Sequence, residues 1–460
     1  MKRHSFLQLT AAMLTGFMVW GCGDRLNVDP VQSVDEAKAL QTSSDVIGAV
    51  VGCYDGYGST EFGSGAVQYI ADLLADDGDV RFAGTFATHQ QFWRKTMIAT
   101  NSQISLTWRN GYSTINRTNN VLENLGKLDT DAQRAAAEGE VLFIRGLSYF
   151  NLVRLFAKAW GDGDNTVNPG VPLVLTATKA PITEANSVPR NSVSAVYTQI
   201  IADLTKAEAD LKNGPVTANG ANAAAAAAIL SRVYLMQGNY AAARDAANRV
   251  IASGLYSLEA DYSKVFNDYK NRRGVPSSES IFSTLITIQD GTNSLLTYYG
   301  SSANGGRNDV RIQAKLLNEY AAYGDKVRGN FFIQDGIGRI FTAKYQDQYA
   351  NVTQVRLAEM YLTRAEANFM LNTQVGATPL EDINRIRSRA GLAALTSITR
   401  SDILKERKLE LIFEGEYLHD LRRTRRNISS SILYNDARLV LPIPQREIDT
   451  NTLLVQNPGY

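Results

Sequence analysis

The segment from residue 406 to residue 426, ERKLELIFEGEYLHDLRRTRR, contains the residue types that acid–base catalysis needs. Glu406, Glu410 and Glu414 recur every four residues, which places them on one face of a helix, and His419 follows in the same stretch. Carboxyl groups of this kind could serve a glycoside hydrolase, which places two of them on opposite sides of a sugar ring. Three glutamates on one helical face do not suit that arrangement.

Arginines near these glutamates favour a structural role. Glutamates four residues apart repel each other when they are unpaired, and arginines occur three times in residues 385–389 and four times in residues 422–426. We therefore predict that Glu–Arg pairs dock the last helices onto the body of the protein. Gly415 would allow close packing or end a helix, and His419 would be a hydrogen-bonded packing residue.

Two other acidic segments could bind a hard cation such as Ca²⁺, which prefers carboxylate and backbone oxygens. The segment DLLADDGDVRF carries Asp72, Asp76, Asp77 and Asp79, and residues 161–170 carry two more aspartates. Neither spacing matches an EF-hand loop, and a polar helix end followed by a turn explains the first segment. We therefore predict neither a metal site nor a cofactor.

The N-terminus has the layout of a secretory signal peptide, because Lys2 and Arg3 precede an apolar stretch. That stretch is too short and too interrupted by polar residues to span a bilayer comfortably. Gly21-Cys22 resembles a bacterial lipobox, although an ordinary signal cleaved nearby is the alternative. We expect a signal peptide at residues 1–21, lipidation of Cys22 and a tether over residues 22–45; more than one acyl chain would give a stable anchor.

The composition excludes several classes of function. Removal of Lys2 and Arg3 with the signal peptide changes the formal net charge from +1 to −1, which gives no indication of a nucleic-acid partner. If Cys22 is acylated, Cys53 is the only free thiol, so neither an internal disulfide nor a cysteine metal cluster can form.

Residues 46–460 are predicted to form a single, mainly α-helical domain. Val196, Ile200 and Leu204 fall on one helical face. Small residues on both sides of Gly238-Asn239-Tyr240 resemble a tetratricopeptide unit, in which two helices flank a tight turn. Further helix pairs are predicted in ISLTWRNGYSTINRTNNVLENLGKL with QRAAAEGEVLFIRGLSYFNLVRLFA, and in VRLAEMYLTRAEANFMLN with PLEDINRIRSRAGL. When helix pairs stack, they bury the apolar faces that a single pair leaves exposed.

Two segments interrupt the helical pattern. Residues 77–103 and 267–310 are rich in Gly, Ser, Asn, Thr and aromatic residues. Long irregular insertions on a helical scaffold are usually binding loops or disordered, and the aromatic content argues against disorder. We therefore expect these loops to carry the binding surface.

Six segments together resemble one known family. In chain order they are EVLFIRGLSYFNLVRLF with GVPLV, the Gly-Asn-Tyr helix pair, LAEMYLTRAEA, INRIRSRAGL, ERKLELIFEGEYLHDLRR and LPIPQREIDTNTLLVQNPGY. This order resembles that of SusD/RagB-family lipoproteins, and the resemblance runs from about Cys22 to the last residue. Tyr417 and Asn451-Thr452 depart from the residues that the family often has there.

The resemblance implies a non-enzymatic lipoprotein of the outer membrane in Bacteroidota, facing the cell exterior. Such proteins bind an oligosaccharide, or a peptide in some branches, and deliver it to a TonB-dependent transporter of the SusC/RagA type. The tetratricopeptide-like units would face the transporter, and the irregular loops would form the ligand surface. A glycoside hydrolase and a ligand-free assembly scaffold are the rival hypotheses.

Sugar rings present apolar faces that aromatic side chains stack on, and hydroxyl groups that amides and guanidinium groups bind. The resemblance places ligand aromatics in the two irregular segments. The predicted ligand-binding residues are therefore Trp93, Tyr298, Tyr299, Asn304, Arg307 and Arg81. For Trp93 the alternative is a core anchor. Of the adjacent Tyr298 and Tyr299, one or both should face solvent.

Overall fold

The computed structural model describes residues 40–179 and 187–460. The predicted signal peptide, Cys22 and nearly all of the predicted tether lie outside these residues. The tether prediction extends slightly too far, because the first helix begins at Ser43, after a capping box at Thr42. The prediction of a mainly α-helical architecture is confirmed.

The helices and strands of the described residues follow in chain order. The α-helices are α1 Ser43–Tyr57, α2 Ala66–Ala75, α3 Ala87–Arg94, α4 Ser102–Asn124, α5 Asp131–Phe156, α6 Val193–Asp210, α7 Ala223–Met236, α8 Tyr240–Ala252, α9 Asp268–Arg272, α10 Ser294–Tyr299, α11 Ala314–Tyr323, α12 Lys326–Gly329, α13 Leu357–Leu371, α14 Pro379–Arg389, α15 Arg400–Leu411, α16 Tyr417–Arg423 and α17 Gln445–Thr450. The strands are β1 Val80–Phe82, β2 Ser280–Thr284, β3 Val310–Ile312, β4 Phe332–Gln334, β5 Ile340–Thr342 and β6 Val352–Arg356.

The predicted helix pairs are confirmed. Helices α4 and α5 pack against each other, and α5 packs against α6. The α6 helix begins where expected, because the Ser192 hydroxyl accepts a hydrogen bond from the backbone N–H of Ala195. Val196, Ile200 and Leu204 are fully buried, as the helical periodicity predicts.

The tetratricopeptide-like pair consists of α7 and α8. Gly238 adopts a φ of 69°, which favours glycine, in the tight turn between them. The Asn239 side chain then accepts a hydrogen bond from the backbone N–H of Ala242 and starts α8. Because most side chains facing the pair are alanines, the helices approach closely, and α8 packs on its other side against α13.

A buried charge network joins the last helices to the body, so the prediction of Glu–Arg pairing is confirmed. Glu410 in α15 is fully buried. It pairs with Arg328 of α12 at 3.0 Å, with Arg356 at the end of β6 at 2.6 Å, and with Arg389 of α14. Glu414 accepts hydrogen bonds from Arg356 and from Lys344, both at 2.7 Å.

The turn after α15 explains Gly415. Its φ is 83°, and a β-carbon there would lie 2.6 Å from the α-carbon of Gln68 in α2. Close approach and a helix end both require glycine at this position. The nearby Arg422 has a different role from the predicted one, because it donates to the backbone oxygens of Arg154 and Ala157 at the end of α5.

His419 is buried, as predicted for a packing residue. The prediction that it is hydrogen-bonded is wrong within the part of the chain that the structure describes, where neither ring nitrogen has a hydrogen-bond partner. Burial, together with Arg154, Arg422 and Arg232, lowers the pKa of His419 well below its ordinary value. A buried, neutral imidazole fits the predicted packing role.

Three small antiparallel sheets support the segments between the helices: β1 with β3, β2 with β6, and β4 with β5. The β1–β3 ribbon pairs Phe82 with Val310 and Arg81 with Arg311. It therefore joins the two segments that were predicted to be irregular. Over the described ranges, no helix combines the length and the apolarity needed to cross a membrane.

Candidate functional site

The short helix α10 positions the site. It lies within a segment predicted to be irregular, as α3 does in the other such segment, so both predictions are wrong at these points. The Asn293 side chain caps its start, accepting a hydrogen bond from the backbone N–H of Leu296 at 2.8 Å. Ser294 ties the helix to the turn after α1, because its hydroxyl donates to the Thr60 backbone oxygen and its N–H to that of Ser64.

Tyr298 lies in a group of aromatic rings that we call the aromatic platform, formed by Tyr69, Phe86, His89 and Tyr298. The Tyr298 ring centre lies 4.6 Å from that of Tyr69, 4.4 Å from that of His89 and 6.5 Å from that of Phe86. Tyr69 and His89 are buried, Tyr298 is half-buried, and the Phe86 side chain is 42% exposed. Phe86 and Tyr298 therefore form the part that a ligand can reach.

Arg307 supplies the polar part of the platform. Its guanidinium carbon lies 4.0 Å from the centre of the Phe86 ring, a cation–π distance. The same group pairs with Asp309 at 3.0 Å and donates to the Thr85 hydroxyl at 3.3 Å. Arg307 is thus held in place while its side chain stays 37% exposed, as a residue that binds ligand hydroxyl groups must be.

His89 is a neutral member of the aromatic platform. Burial, with a smaller contribution from Arg307, lowers the pKa of His89 to about 4. The neutral ring bonds Tyr69 through one nitrogen, at 3.1 Å, and Thr88 through the other, at 3.1 Å. His89 therefore holds the platform rings in position.

Tyr299 requires a correction. Its ring is only 1% exposed and packs on Tyr345 and Phe413. Its hydroxyl donates to Asp72 at 2.9 Å. Neighbouring residues of a helix point about 100° apart, so α10 turns Tyr298 outward and Tyr299 into the core. The prediction that Tyr299 stacks on a ligand does not hold in this structure.

Trp93 lies on α3, one helical turn after His89. It is half-buried and packs against the core, and its indole N–H donates to Asp76 at 2.9 Å. Asp76 also accepts from the backbone N–H of Gly78 and Val80 and so forms the turn before β1. The core-anchor alternative for Trp93 fits these contacts, and its ligand-binding role stays a prediction.

Neither Asn304 nor Arg81 belongs to the aromatic platform. The Asn304 side chain donates to Gln346 at 2.9 Å and accepts from Lys270 at 3.0 Å, which holds the loop after α10. Arg81 is exposed on β1, directly opposite Arg311. The structure therefore brings Tyr298 and Arg307 together, whereas ligand contacts by Asn304 and Arg81 remain predictions.

Phe86 and His89 are the site residues that the sequence analysis missed. With Trp93 they follow a spacing of three and four residues, which is the spacing of one helical face. That pattern was visible in FATHQQFW. Tyr69 had no comparable signal, because only the tertiary structure brings α2 under α10.

A polar cleft adjoins the platform, with a volume of about 240 Å³. Its lining residues are Asp55, Gly56, Gly58, Ser59, Thr60, Glu61, Ser64, Asn110, Ser113, Arg117, Ile286, Asp290, Gly291, Thr292 and Asn293. Glu61 belongs to both places, because it lines the cleft and also raises the pKa of Tyr298, after the larger effects of burial and Asp309.

A larger, mainly apolar cavity of about 590 Å³ lies between α4 and the C-terminal segment, with Trp108 and Tyr112 in its wall. Its rim includes Lys179 and Val188, which flank the residues that the structure does not describe. We therefore assign no site to it.

The aspartates of the segment DLLADDGDVRF, which could bind a cation, are bonded to other residues of the protein instead. Asp72 accepts from Tyr299 and Gly415, Asp77 pairs with Lys315, and Asp79 pairs with Lys408. Across residues 40–179 and 187–460 there is no cluster of three potential metal ligands.

Comparisons with known proteins agree on one family. A family model described as "Starch-binding associating with outer membrane" matches residues 61–235, and the SusD family model matches residues 339–460. SusD-like protein P2 of Formosa agariphila is 24% identical over an alignment that covers 96% of this chain and 97% of that protein. The starch-binding protein SusD of Bacteroides thetaiotaomicron is 29% identical over 35% of this chain and 30% of its own length.

Solved structures show the same fold. A crystal structure of a SusD superfamily protein from Bacteroides thetaiotaomicron superposes with a TM-score of 0.80 at 26% identity, covering 91% of this chain and all of that one. Two family models, full-length relatives and this superposition lead to one conclusion: the chain belongs to the SusD/RagB family.

Proposed function

We propose that the protein is a cell-surface lipoprotein that binds oligosaccharides and passes them to a TonB-dependent, SusC-like transporter in the outer membrane. The observation that carries the proposal is the aromatic platform, where Phe86 and Tyr298 are accessible and Arg307 is fixed beside them. The Phe86 and Tyr298 rings are inclined at 74° to each other. Accessible aromatic rings next to a hydrogen-bond donor suit a sugar ring, which has an apolar face and peripheral hydroxyl groups.

The relatives support a glycan as the ligand. The matching family model is named for starch binding and association with the outer membrane, and the partial relative from Bacteroides thetaiotaomicron is named as a starch-binding protein. The peptide-binding branch of the family is the second candidate, because the Arg307 guanidinium could bind a peptide carboxylate as well as hydroxyl groups.

Binding without hydrolysis is part of the proposal. The glutamates of α15 that suggested catalysis are fully buried and paired with arginines. A hydrolase needs two carboxyl groups that reach the same sugar from opposite sides, and Glu406 and Glu410 cannot do so.

Anchoring and delivery complete the proposal. Acylated Cys22 would hold the protein at the outer membrane, and the stacked pair α7–α8 with α13 would offer a rigid face to the transporter. The anchoring statement rests on the lipobox-like Gly21-Cys22, and both statements rest on the family resemblance. Deletion of a SusC-like transporter gene would test delivery, because it should abolish uptake of the bound ligand.

The test of binding is calorimetric titration of the purified protein with neutral oligosaccharides and peptides. Tyr298→Ala should weaken binding of whichever ligand the wild type takes by about thirty-fold, which is typical for a desolvated contact aromatic. Tyr434→Ala is the control, since it removes a half-buried tyrosine outside the platform. Equal affinities in wild type and Tyr298→Ala would place the site elsewhere. Tight binding of peptides alone would favour the peptide branch, and shortened oligosaccharide products would indicate a hydrolase.

A further inference from the structure

The polar cleft continues the platform along the protein surface. Thr292 lines the cleft just before α10, and Tyr298 lies near the other end of that helix. At 1.5 Å per residue the six residues of α10 extend over roughly 9 Å, a span that a few linked sugar units can bridge. Glu61 lines the cleft and also interacts electrostatically with Tyr298.

The cleft contains polar groups that the fold does not use. The side chains of Glu61, Asn110 and Ser113 make no hydrogen bond to any other residue in the described ranges. The hydroxyl of Ser59 is buried, and it also lacks a partner among those residues. Buried polar atoms are usually paired, so the unpaired Ser59 hydroxyl indicates a place where a ligand supplies the partner. Glu61 and Asn110 are half-buried and Ser113 is exposed, so a ligand in the cleft can reach them.

The side chains of Asn110, Ser113 and Arg117 lie three or four residues apart on α4 and so share one helical face. Across the cleft, the segment with Ile286 and Asp290 forms the opposite wall. A cavity for one water needs roughly 10–15 Å³, so about 240 Å³ accommodates ligand groups rather than a single water.

The charges of the cleft restrict the ligand. Three carboxylates line it, from Asp55, Glu61 and Asp290, against one guanidinium from Arg117, which pairs with Asp55 at 2.9 Å. Carboxylates accept hydrogen bonds from hydroxyl groups and repel other anions. A neutral chain fits this charge pattern, and a chain of uronic acids or sulfated sugars does not.

We propose that the polar cleft is a second carbohydrate subsite, which binds the hydroxyl groups of the units that follow the one stacked on Tyr298. The protein then recognises a stretch of a neutral glycan rather than a single unit. This inference rests on the proposed oligosaccharide binding and adds to it the length and charge of the ligand.

The test is calorimetric titration with gluco-, manno- and xylo-oligosaccharides, from disaccharides to octasaccharides. Wild-type affinity should rise with chain length until the cleft is filled. The double variant Asn110→Ala/Ser113→Ala removes two unused hydrogen-bonding groups and should lower affinity for the longest oligosaccharide about tenfold. Its affinity for the shortest one that binds should not change.

Asn120→Ala is the matched control, because Asn120 is an asparagine on the same helix and does not line the cleft. It should bind all lengths as the wild type does. If affinity does not rise with length, or rises equally in the double variant, the second subsite is overturned while oligosaccharide binding stands. If the wild type binds no oligosaccharide at all, the proposed function itself fails.

Discussion

Tyr299 donates a hydrogen bond of 2.9 Å to Asp72, although the two residues are 227 positions apart in the chain. The other oxygen of Asp72 accepts from the backbone N–H of Gly415 at 3.1 Å. One buried carboxyl group therefore joins α2, the helix that carries the platform residue Tyr298, and the turn after α15. The orientation of Tyr298 depends on this connection, because Tyr299 fixes the rotation of α10.

Asp72 should make folding stability depend on pH. Burial raises its pKa from 3.8 to about 7, with the Tyr299 and Gly415 bonds opposing the shift. Between these values the folded protein keeps a proton that the unfolded chain has lost, so the contribution of Asp72 to stability is greatest below about pH 4 and is lost as the pH rises through about 7.

The measurement is urea unfolding of wild type and Asp72→Asn between about pH 5 and pH 8, using the pH dependence of the unfolding free energy. Stability should fall more steeply with rising pH in wild type, because the asparagine does not titrate. The other carboxylates contribute to the pH dependence of stability in both proteins, so their effect cancels in the comparison. Parallel curves would show that Asp72 does not change protonation in this range.

Glu414→Gln should destabilise the protein without changing ligand affinity. Glu414 accepts hydrogen bonds from Lys344 and Arg356, and both cations would lose the balancing charge. Removing one member of a buried ion pair costs about 3 kcal/mol or more. The unfolding free energy of Glu414→Gln is the quantity to measure.

The control is Glu138→Gln, which removes the charge of a partly exposed glutamate paired with Lys206 at 3.1 Å. A surface pair of this kind contributes at most about 1 kcal/mol. Equal stabilities of the two variants would contradict a structural role for Glu414, and an unchanged Tm together with loss of a hydrolytic activity would restore the enzyme hypothesis.

Local signals in the sequence were sufficient for the long paired helices and for the existence of a charge network. The Ser192 cap, the periodicity of α6 and the Gly238 turn depend on neighbouring residues, and the Glu406–Glu410–Glu414 spacing needed cations somewhere. The sequence did not show which cations, because Arg328 and Arg356 are brought to Glu410 by tertiary folding. For the same reason it could not distinguish Tyr298 from Tyr299, since only the contact with Asp72 determines which ring is buried.

Phe86→Ala should weaken ligand binding about tenfold, because it removes the most exposed ring of the platform and the surface on which Arg307 rests. Stability should change little, since the ring is 42% exposed. Titration calorimetry of the variant measures the loss. Ile98→Ala is the control, as Ile98 is an exposed apolar residue outside the platform. An affinity equal to that of wild type would remove Phe86 from the site.

Cys22→Ala should move the protein from the membrane to the soluble fraction after cell lysis. Without the thiol no acyl chain can be attached, and stable anchoring takes more than one chain. Immunoblots of the fractions provide the measurement, in a strain that lacks the partner transporter so that protein–protein contact cannot retain the variant. Continued membrane association of Cys22→Ala in that strain would refute the lipid anchor.

Helix α10 presents Tyr298 outward and Tyr299 inward. This arrangement affects how the ligand specificity of the protein could change during evolution. Tyr299, Asp72 and Gly415 hold the helix from the core side, while Tyr298, Phe86 and Arg307 face outward and take no part in the buried ion pairs around α15. Substitutions on the outer side therefore leave the core-side hydrogen bonds of α10 in place. A combinatorial library restricted to Phe86, Tyr298 and Arg307 would then yield folded binders with altered sugar preference.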